Sequence, residues 1–166
     1  MSTDCVFSGE KGNYLESDFP DGKTFYDRTK ALGELNDDKN ITLRNSIVGP
    51  DIKASGIGLL SWFMKQSGTI NQLAKTMEYV AKERMGGLYN AVPHNSISKY
   101  ELLKLFNKYL RDNSVTINPV EGIVADKSLV PSKLGDDFEI PNYEQMVAEM
   151  ALWMRAHKEM YPHYEL

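Results

Sequence analysis

Residues 24–34 read TFYDRTKALGE, and the fold turns on whether this stretch is a helix with Tyr26 and Lys30 on one side. Side chains four positions apart lie one turn apart on the same face of an α-helix. Thr24 followed three positions later by Asp27 has the form of a capping box, which starts a helix just after Thr24. The pattern then runs through Lys30 and Gly33 toward the Asn36-Asp37-Asp38 cluster. The spacing alone leaves the chemistry open. Tyr100 and Lys104 in KYELLKLF repeat it, and a chain with 9 Tyr produces such pairs by chance. Tyr26 and Lys30 are either a proton donor with its ammonium neighbour or two polar residues on an ordinary amphipathic helix, and their surroundings must decide.

Upstream, Ser2-Thr3-Asp4 is polar, Cys5-Val6-Phe7 is briefly apolar, and the chain from Ser8-Gly9 to Pro20-Asp21-Gly22 is rich in turn formers. Downstream, ITLRNSIVG (residues 41–49) is β-branched and bounded by Gly49-Pro50, which predicts a strand. A short helix is expected over 57–66. Ile70, Leu73, Ala74, Met77, Val80 and Ala81 mark a second amphipathic helix, stopped by Gly86-Gly87. LYNAV (88–92) predicts a strand. Ser98 with Glu101 is a capping box for a helix whose apolar face is Leu102, Leu103, Phe106, Tyr109 and Leu110. Residues 115–120 suit another extended piece, and a last helix from Asn142 is expected to bury Met146, Val147, Met150, Trp153 and Met154. Strands alternating with helices predict an α/β fold with a parallel sheet. In this frame Tyr100 and Lys104 read as structural, because Tyr100 opens a leucine-rich helix with no Ser-Thr-Asp cluster before it.

Composition narrows the function classes. The 166 residues suffice for one domain around one core. A content of 42% hydrophobic and 25% charged residues is that of a soluble globular chain, not a disordered one. Lys and Arg number 19 against 23 Asp and Glu, a net charge of −4, so the basic footprint of a nucleic-acid binder is missing. The single Cys5 excludes an internal disulfide and fits a reducing compartment. The longest apolar run, IGLLSWFM, is too short to span a bilayer, and no signal peptide is visible, so neither membrane insertion nor export is expected. The expected location is the cytoplasm. His94, His157 and His163 have no partner at a metal-ligand spacing, so no metal is expected.

Taken together, STDCVFSGEKGNYLESDFPDGKTFYDRTKALGE and ITLRNSIVGP resemble the extended short-chain dehydrogenase/reductases, within them the dTDP-4-dehydrorhamnose reductase group. In that family a central strand ends in Ser-Thr-Asp-x-Val-Phe, followed by a Gly, an acidic Pro-containing loop, a Tyr-x-x-x-Lys helix and a strand bearing Arg-x-Ser. Here Ser2, Thr3, Asp4, Val6, Phe7, Gly9, Pro20, Tyr26, Lys30, Gly33, Glu34, Arg44, Ser46 and Gly49 stand in that order. GLYNAVPHNSISKYELLKL is similar to the family's C-terminal half. Two departures matter. The family's Gly-x-x-Gly-x-x-Gly turn, whose amides hold a cofactor pyrophosphate, has no counterpart in this sequence. GTINQLAKTMEYV joins directly what the family separates by an extra loop and strand. The resemblance therefore covers the C-terminal portion, and Met1 falls where the family is finishing a mid-sheet strand.

The resemblance implies a partial Rossmann-like parallel sheet flanked by helices, with a small C-terminal substrate-binding part. Residues 1–166 are expected to form one domain. Within it, 1–56 form a truncated Rossmann-like part with the Tyr-x-x-x-Lys helix, and 57–166 supply mostly substrate-binding structure and C-terminal helices. The implied activity is reduction of a nucleotide-linked 4-keto-6-deoxy sugar with NADPH or NADH, in nucleotide-sugar and polysaccharide biosynthesis. A hydride must come from a nicotinamide, because no side chain supplies one. A proton must reach the carbonyl oxygen from a group held within hydrogen-bonding distance. Tyr26 is the implied donor, with the Lys30 ammonium favouring its phenolate and also binding the nicotinamide ribose. Thr3 would hydrogen-bond the carbonyl oxygen. Ser2 is implied on the cofactor side, and Asp4, Ser46 and Ile47 on the substrate side. A non-catalytic sugar-nucleotide-binding or regulatory subunit, or an inactive truncated relative, is the alternative; a homo-oligomer or a partner enzyme is compatible with either. Residue by residue, Thr3 and Asp4 also read as a solvated terminus and Lys30 as an exposed helix residue.

Overall fold

The β-branched stretch after Asn40 forms the centre of a parallel sheet, with a shorter strand on each side. The computed structural model describes residues 1–46, 71–120, 122, 125–134, 138–162 and 164. Strands β1 (Ser2–Thr3), β2 (Ile41–Asn45) and β3 (Gly87–Asn90) pair in the order β1-β2-β3. Ser2 is paired with Arg44 and Thr3 with Asn45; Ile41 to Arg44 are paired in turn with Gly87 to Asn90. One row across all three strands is therefore Ser2, Arg44 and Asn90, whose side chains share a face because strand residues alternate. Of the strand expected over 41–49, the described residues form Ile41–Asn45, and 47–49 lie outside the described residues. Ile47, the helix expected over 57–66, Ile70 and His163 lie outside the described residues.

Helix α1 (Phe25–Leu32) begins where the capping box predicts. The Thr24 hydroxyl oxygen accepts from the Asp27 N–H at 3.1 Å, and the Asp27 carboxylate accepts from the Thr24 N–H at 3.0 Å. It stops before the Asn36-Asp37-Asp38 cluster. The N–H groups of Gly33 and Glu34 bond to carbonyls only three residues back, which tightens the last turn and ends the helix. Helix α2 (Asn71–Lys82) leads into Arg84 in the left-handed region (φ 51) and then to Gly86, where a Cβ would come within 2.5 Å of the Asp38 backbone. Its expected apolar stripe is only partly covered: Val80 is buried and Leu73 half-buried, but Ala74 and Ala81 are exposed and Met77 is 49% exposed.

The described chain divides into two compact units. Met1–Ser46, Lys75–Ser96 and Gly122–Ile140 form one. Its core is Val6, Phe7, Tyr14, Val92 and Leu129, with Ala31 packed against it. A lone parallel bridge joins Tyr14 to Leu129, a pairing that nothing in the turn-rich stretch signals.

The second unit contains helices α3 (Lys99–Leu110) and α4 (Tyr143–Ala156), both opened by capping boxes, from Ser98 with Glu101 and from Asn142 with Gln145. Leu102, Phe106 and Leu110 pack with Val147, Met150, Ala151 and Met154. Trp153, expected inside, is 40% exposed and stacks on His157 instead, with ring centroids 3.7 Å apart. Residues 115–120 form no strand. Val115 is held by the Asn107 side chain, which donates to its carbonyl at 2.7 Å and accepts from its N–H at 3.1 Å, so an amide takes the place of a neighbouring strand. Tyr100 carries the Lys104 ammonium over its ring at 5.4 Å. Among the described residues no helix is long and apolar enough to cross a membrane, and no group of three potential metal-ligating side chains converges.

Candidate active site

The candidate site forms where α1 packs against β1 and the 3₁₀ turn Asp4–Val6 that follows it. Three local devices bring these pieces together. The Lys30 ammonium donates to the Met1 carbonyl at 2.8 Å, immediately before the strand that bears Ser2 and Thr3. The Gly22 N–H donates to the Val6 carbonyl at 2.8 Å, so the turn-rich segment folds back to deliver the chain to the start of α1. Gly22 has to be glycine, since a Cβ there would sit 2.5 Å from the Cβ of Asp27 and 2.8 Å from the Val6 oxygen. Asp21 fastens the same return by accepting from the N–H and the hydroxyl of Ser8 at 2.7 and 2.6 Å. These bonds hold the Asp21 carboxyl below the ordinary carboxylate range, the hydroxyl first and the N–H second.

Tyr26 and Lys30 share one face of α1, and the Tyr26 side chain is 55% exposed, with its phenol open to solvent rather than sealed in the core. Thr3 is half-buried. Its hydroxyl donates to the Asp4 carboxylate at 2.9 Å and accepts from the Cys5 N–H at 3.2 Å, capping the 3₁₀ turn. A hydroxyl has a single proton, so Thr3 can donate to a substrate carbonyl only by releasing Asp4. Ser2 is buried and donates to Glu34 Oε1 at 2.6 Å. Ser46 is exposed beyond the end of β2, and Ile47 is not among the described residues. The structure thus brings Lys30 against the start of β1 and joins Thr3 to Asp4. Among the described residues, no hydrogen bond links the Tyr26 hydroxyl to either Lys30 or Thr3.

Sequence reasoning assigned no role to the group beneath this site. The Glu34 carboxylate, 6% exposed, accepts from Arg44 Nε at 2.7 Å and Arg44 Nη2 at 2.6 Å in a two-pronged ion pair, and its Oε1 also takes Ser2. Arg44 lies with its guanidinium 4.9 Å above the Phe7 ring, and Phe7 stacks on Tyr14 at 4.0 Å. Glu34 therefore ties the end of α1 to β1 and β2 together. The available signal was an arginine in the middle of a β-branched strand, which needs a buried acid when both faces are covered. Asn45, paired with Thr3, is buried with an unpartnered Oδ1 on the strand end that leads to Ser46.

No family profile and no curated protein matches this chain by sequence. Solved structures do match. A hypothetical dTDP-4-dehydrorhamnose reductase from Sulfolobus tokodaii superposes with a TM-score of 0.65 at 25% identity, over 86% of this chain and 60% of that one. A dTDP-4-dehydrorhamnose reductase from Bacillus anthracis, solved with NADP, gives 0.69 at 20% identity over 92% of this chain and 64% of that one. The chain has the fold of the extended short-chain dehydrogenase/reductases. A dTDP-glucose 4,6-dehydratase from Bacillus anthracis, solved with NAD, shares it at a TM-score of 0.68 and 17% identity, over 95% of this chain and 61% of that one. The chain spans about 60% of the length of the solved structures it matches. Within this reductase fold the sheet is parallel and Rossmann-like, and β1, α1 and β2 follow one another as the resemblance implied.

Proposed function

We propose that this chain serves the NAD(P)H-dependent reduction of a nucleotide-linked 4-keto-6-deoxy sugar, in the manner of a dTDP-4-dehydrorhamnose reductase, in cytoplasmic nucleotide-sugar and polysaccharide biosynthesis. The observation that carries this reading is the solvent-open Tyr26 on the same helical face as Lys30, on a helix laid against the strand that bears Thr3. Ligands of open α/β sheets bind beyond the carboxyl ends of the strands, which is where Thr3, Asn45 and Ser46 lie. In this reading Tyr26 delivers a proton to the carbonyl oxygen, the Lys30 ammonium stabilises the phenolate left behind, and Thr3 hydrogen-bonds the same oxygen. Asp4 and Ser46 border the sugar. Ser2, turned to Glu34, supports the cofactor side through the strand rather than by direct contact.

The residues fit the nicotinamide end of a cofactor. Lys30 gives one of its three N–H donors to Met1, leaving two for ribose hydroxyls. The nicotinamide would supply the hydride. Titration with NADPH and NADH, followed by nicotinamide fluorescence, tests the reading. Binding is expected, and absence of binding at millimolar cofactor would exclude an autonomous reductase. Tyr26→Phe and Lys30→Met are each expected to lower turnover of a dTDP-4-keto sugar by about 10²–10⁴-fold. The melting temperature of Tyr26→Phe should be unchanged because Tyr26 is exposed, whereas Lys30→Met also loses the bond to the Met1 carbonyl.

A second reading is a non-catalytic subunit that binds a sugar nucleotide beside a partner enzyme. It is favoured by the Thr3 hydroxyl proton already committed to Asp4. A stable partner in pull-down, with no turnover by the isolated chain, would select it. Turnover by the isolated monomer would rule it out.

A further inference from the structure

Arg44 and Asn90 are paired on β2 and β3, with side chains on one face of the sheet. Both are shut off from solvent, at 2% and 0% exposure. Each nevertheless carries one buried polar atom without a hydrogen-bond partner: Nη1 of Arg44 and Oδ1 of Asn90. The rest of each group is committed. Arg44 gives Nε and Nη2 to Glu34. Asn90 Nδ2 donates to the carbonyls of Tyr14 and Val130, both at 2.9 Å. That double donation fixes the orientation of the amide, because turning it over would aim its oxygen at two carbonyl oxygens. The unpartnered atom of Asn90 is therefore an acceptor, and the one on the neighbouring strand is a donor.

The two orphans together define the ligand. It must accept from a guanidinium and donate to an amide oxygen at the same time. An anion suits Arg44 but is repelled by the amide oxygen. A cation suits the amide and is repelled by Arg44. A neutral molecule with both a lone pair and an O–H satisfies both, and the smallest is water. Buried waters of this kind bridge otherwise unsatisfied polar groups and become part of the structure.

We propose that one water molecule is permanently bound between Arg44 Nη1 and Asn90 Oδ1. It closes a hydrogen-bonded chain that starts at Glu34 and runs through Arg44 and Asn90. The Asn90 N–H carries it on to Glu16 Oε1 at 3.0 Å, and Glu16 accepts in turn from the N–H and hydroxyl of Ser132. The end of α1 is thereby linked across the sheet to the segment around Val130. This site is independent of any activity of the protein.

Two measurements on the wild-type protein test it. A high-resolution crystal structure should show a solvent peak within hydrogen-bonding distance of both atoms. Water-to-protein NOE spectra should show a long-lived water signal at the Arg44 guanidinium protons. A direct bond between Nη1 and Oδ1, or a missing water signal, would overturn the proposal. Arg44→Lys keeps a cation for Glu34 but lacks Nη1, and the water signal beside Asn90 should be lost; its persistence at full intensity would also overturn it. Asn90→Leu removes the acceptor and should abolish the signal at Arg44. If that variant does not fold, the wild-type spectra decide.

Discussion

At the scale of single residues, Arg44 and Glu34 are the most consequential pair beneath the candidate site. Two charges taken out of water need one another, and removing either leaves the other uncompensated. Glu34→Ala is therefore expected to destabilise the protein by about 3–5 kcal/mol in urea unfolding. The double change Glu34→Leu with Arg44→Met should recover most of that loss, since an apolar pair of similar volume carries no desolvation penalty. Tyr26 and Lys30 were legible in the sequence because their relation is helical and local. Glu16 was not. Its partners Asn90 and Ser132 lie 74 and 116 positions away, and nothing in GNYLESDFP distinguishes a buried, triply bonded carboxylate from a solvated one. Ser2 shows the limit of motif reading in the same way: its place in the order was right, but which hydroxyl faces a ligand and which faces Glu34 is decided by strand register.

Among the elements, the helix starts were the most readable features. Each capping box is a closed exchange between residues three apart, so Thr24 with Asp27 and Ser98 with Glu101 needed no knowledge of the fold, while the box of Asn142 with Gln145 was added by the structure to a helix start already placed at Asn142. The covered sides of the helices were less readable, because periodicity locates a stripe but not what lies over it. Trp153 sits on the edge of the α4 stripe and stays exposed, while Ala151 is buried. The first cap also carries a pH dependence. The Thr24 N–H, the largest influence, holds the Asp27 carboxyl below its ordinary value of 3.8, outweighing burial, which opposes it. A carboxyl whose folded value is depressed contributes stability that is fully present above the ordinary value and lost as pH falls through the lower folded one. Thermal melts below pH 3.8 should show this loss, and Asp27→Asn should abolish its share of the acid dependence. Thr24→Ala, at neutral pH, should cost about 1 kcal/mol.

For the molecule as a whole, net charge and exposed apolar surface set its behaviour in solution. A charge of −4 near neutrality falls to zero close to the sequence pI of about 5.4. Phe19, Phe25 and Leu32 are 84%, 85% and 86% exposed, with little repulsion left at that pH to keep copies apart. Light scattering at fixed protein concentration should therefore peak near pH 5.4 and fall on either side. A flat profile would mean that these side chains are not sticky contacts.

The parallel ladders also dictate a sequence of events as the polypeptide leaves the ribosome. Ser2 must wait for Arg44 to be synthesised, and Arg44 for Asn90, before either ladder can close. The helices wait for nothing, since every bond of their first turns lies within a few residues. Long loops closed late are what slow the search for the native state. In pulse-labelled exchange during refolding, amides inside α3 should gain protection ahead of Ala91, whose N–H reaches the Arg44 carbonyl at 2.7 Å.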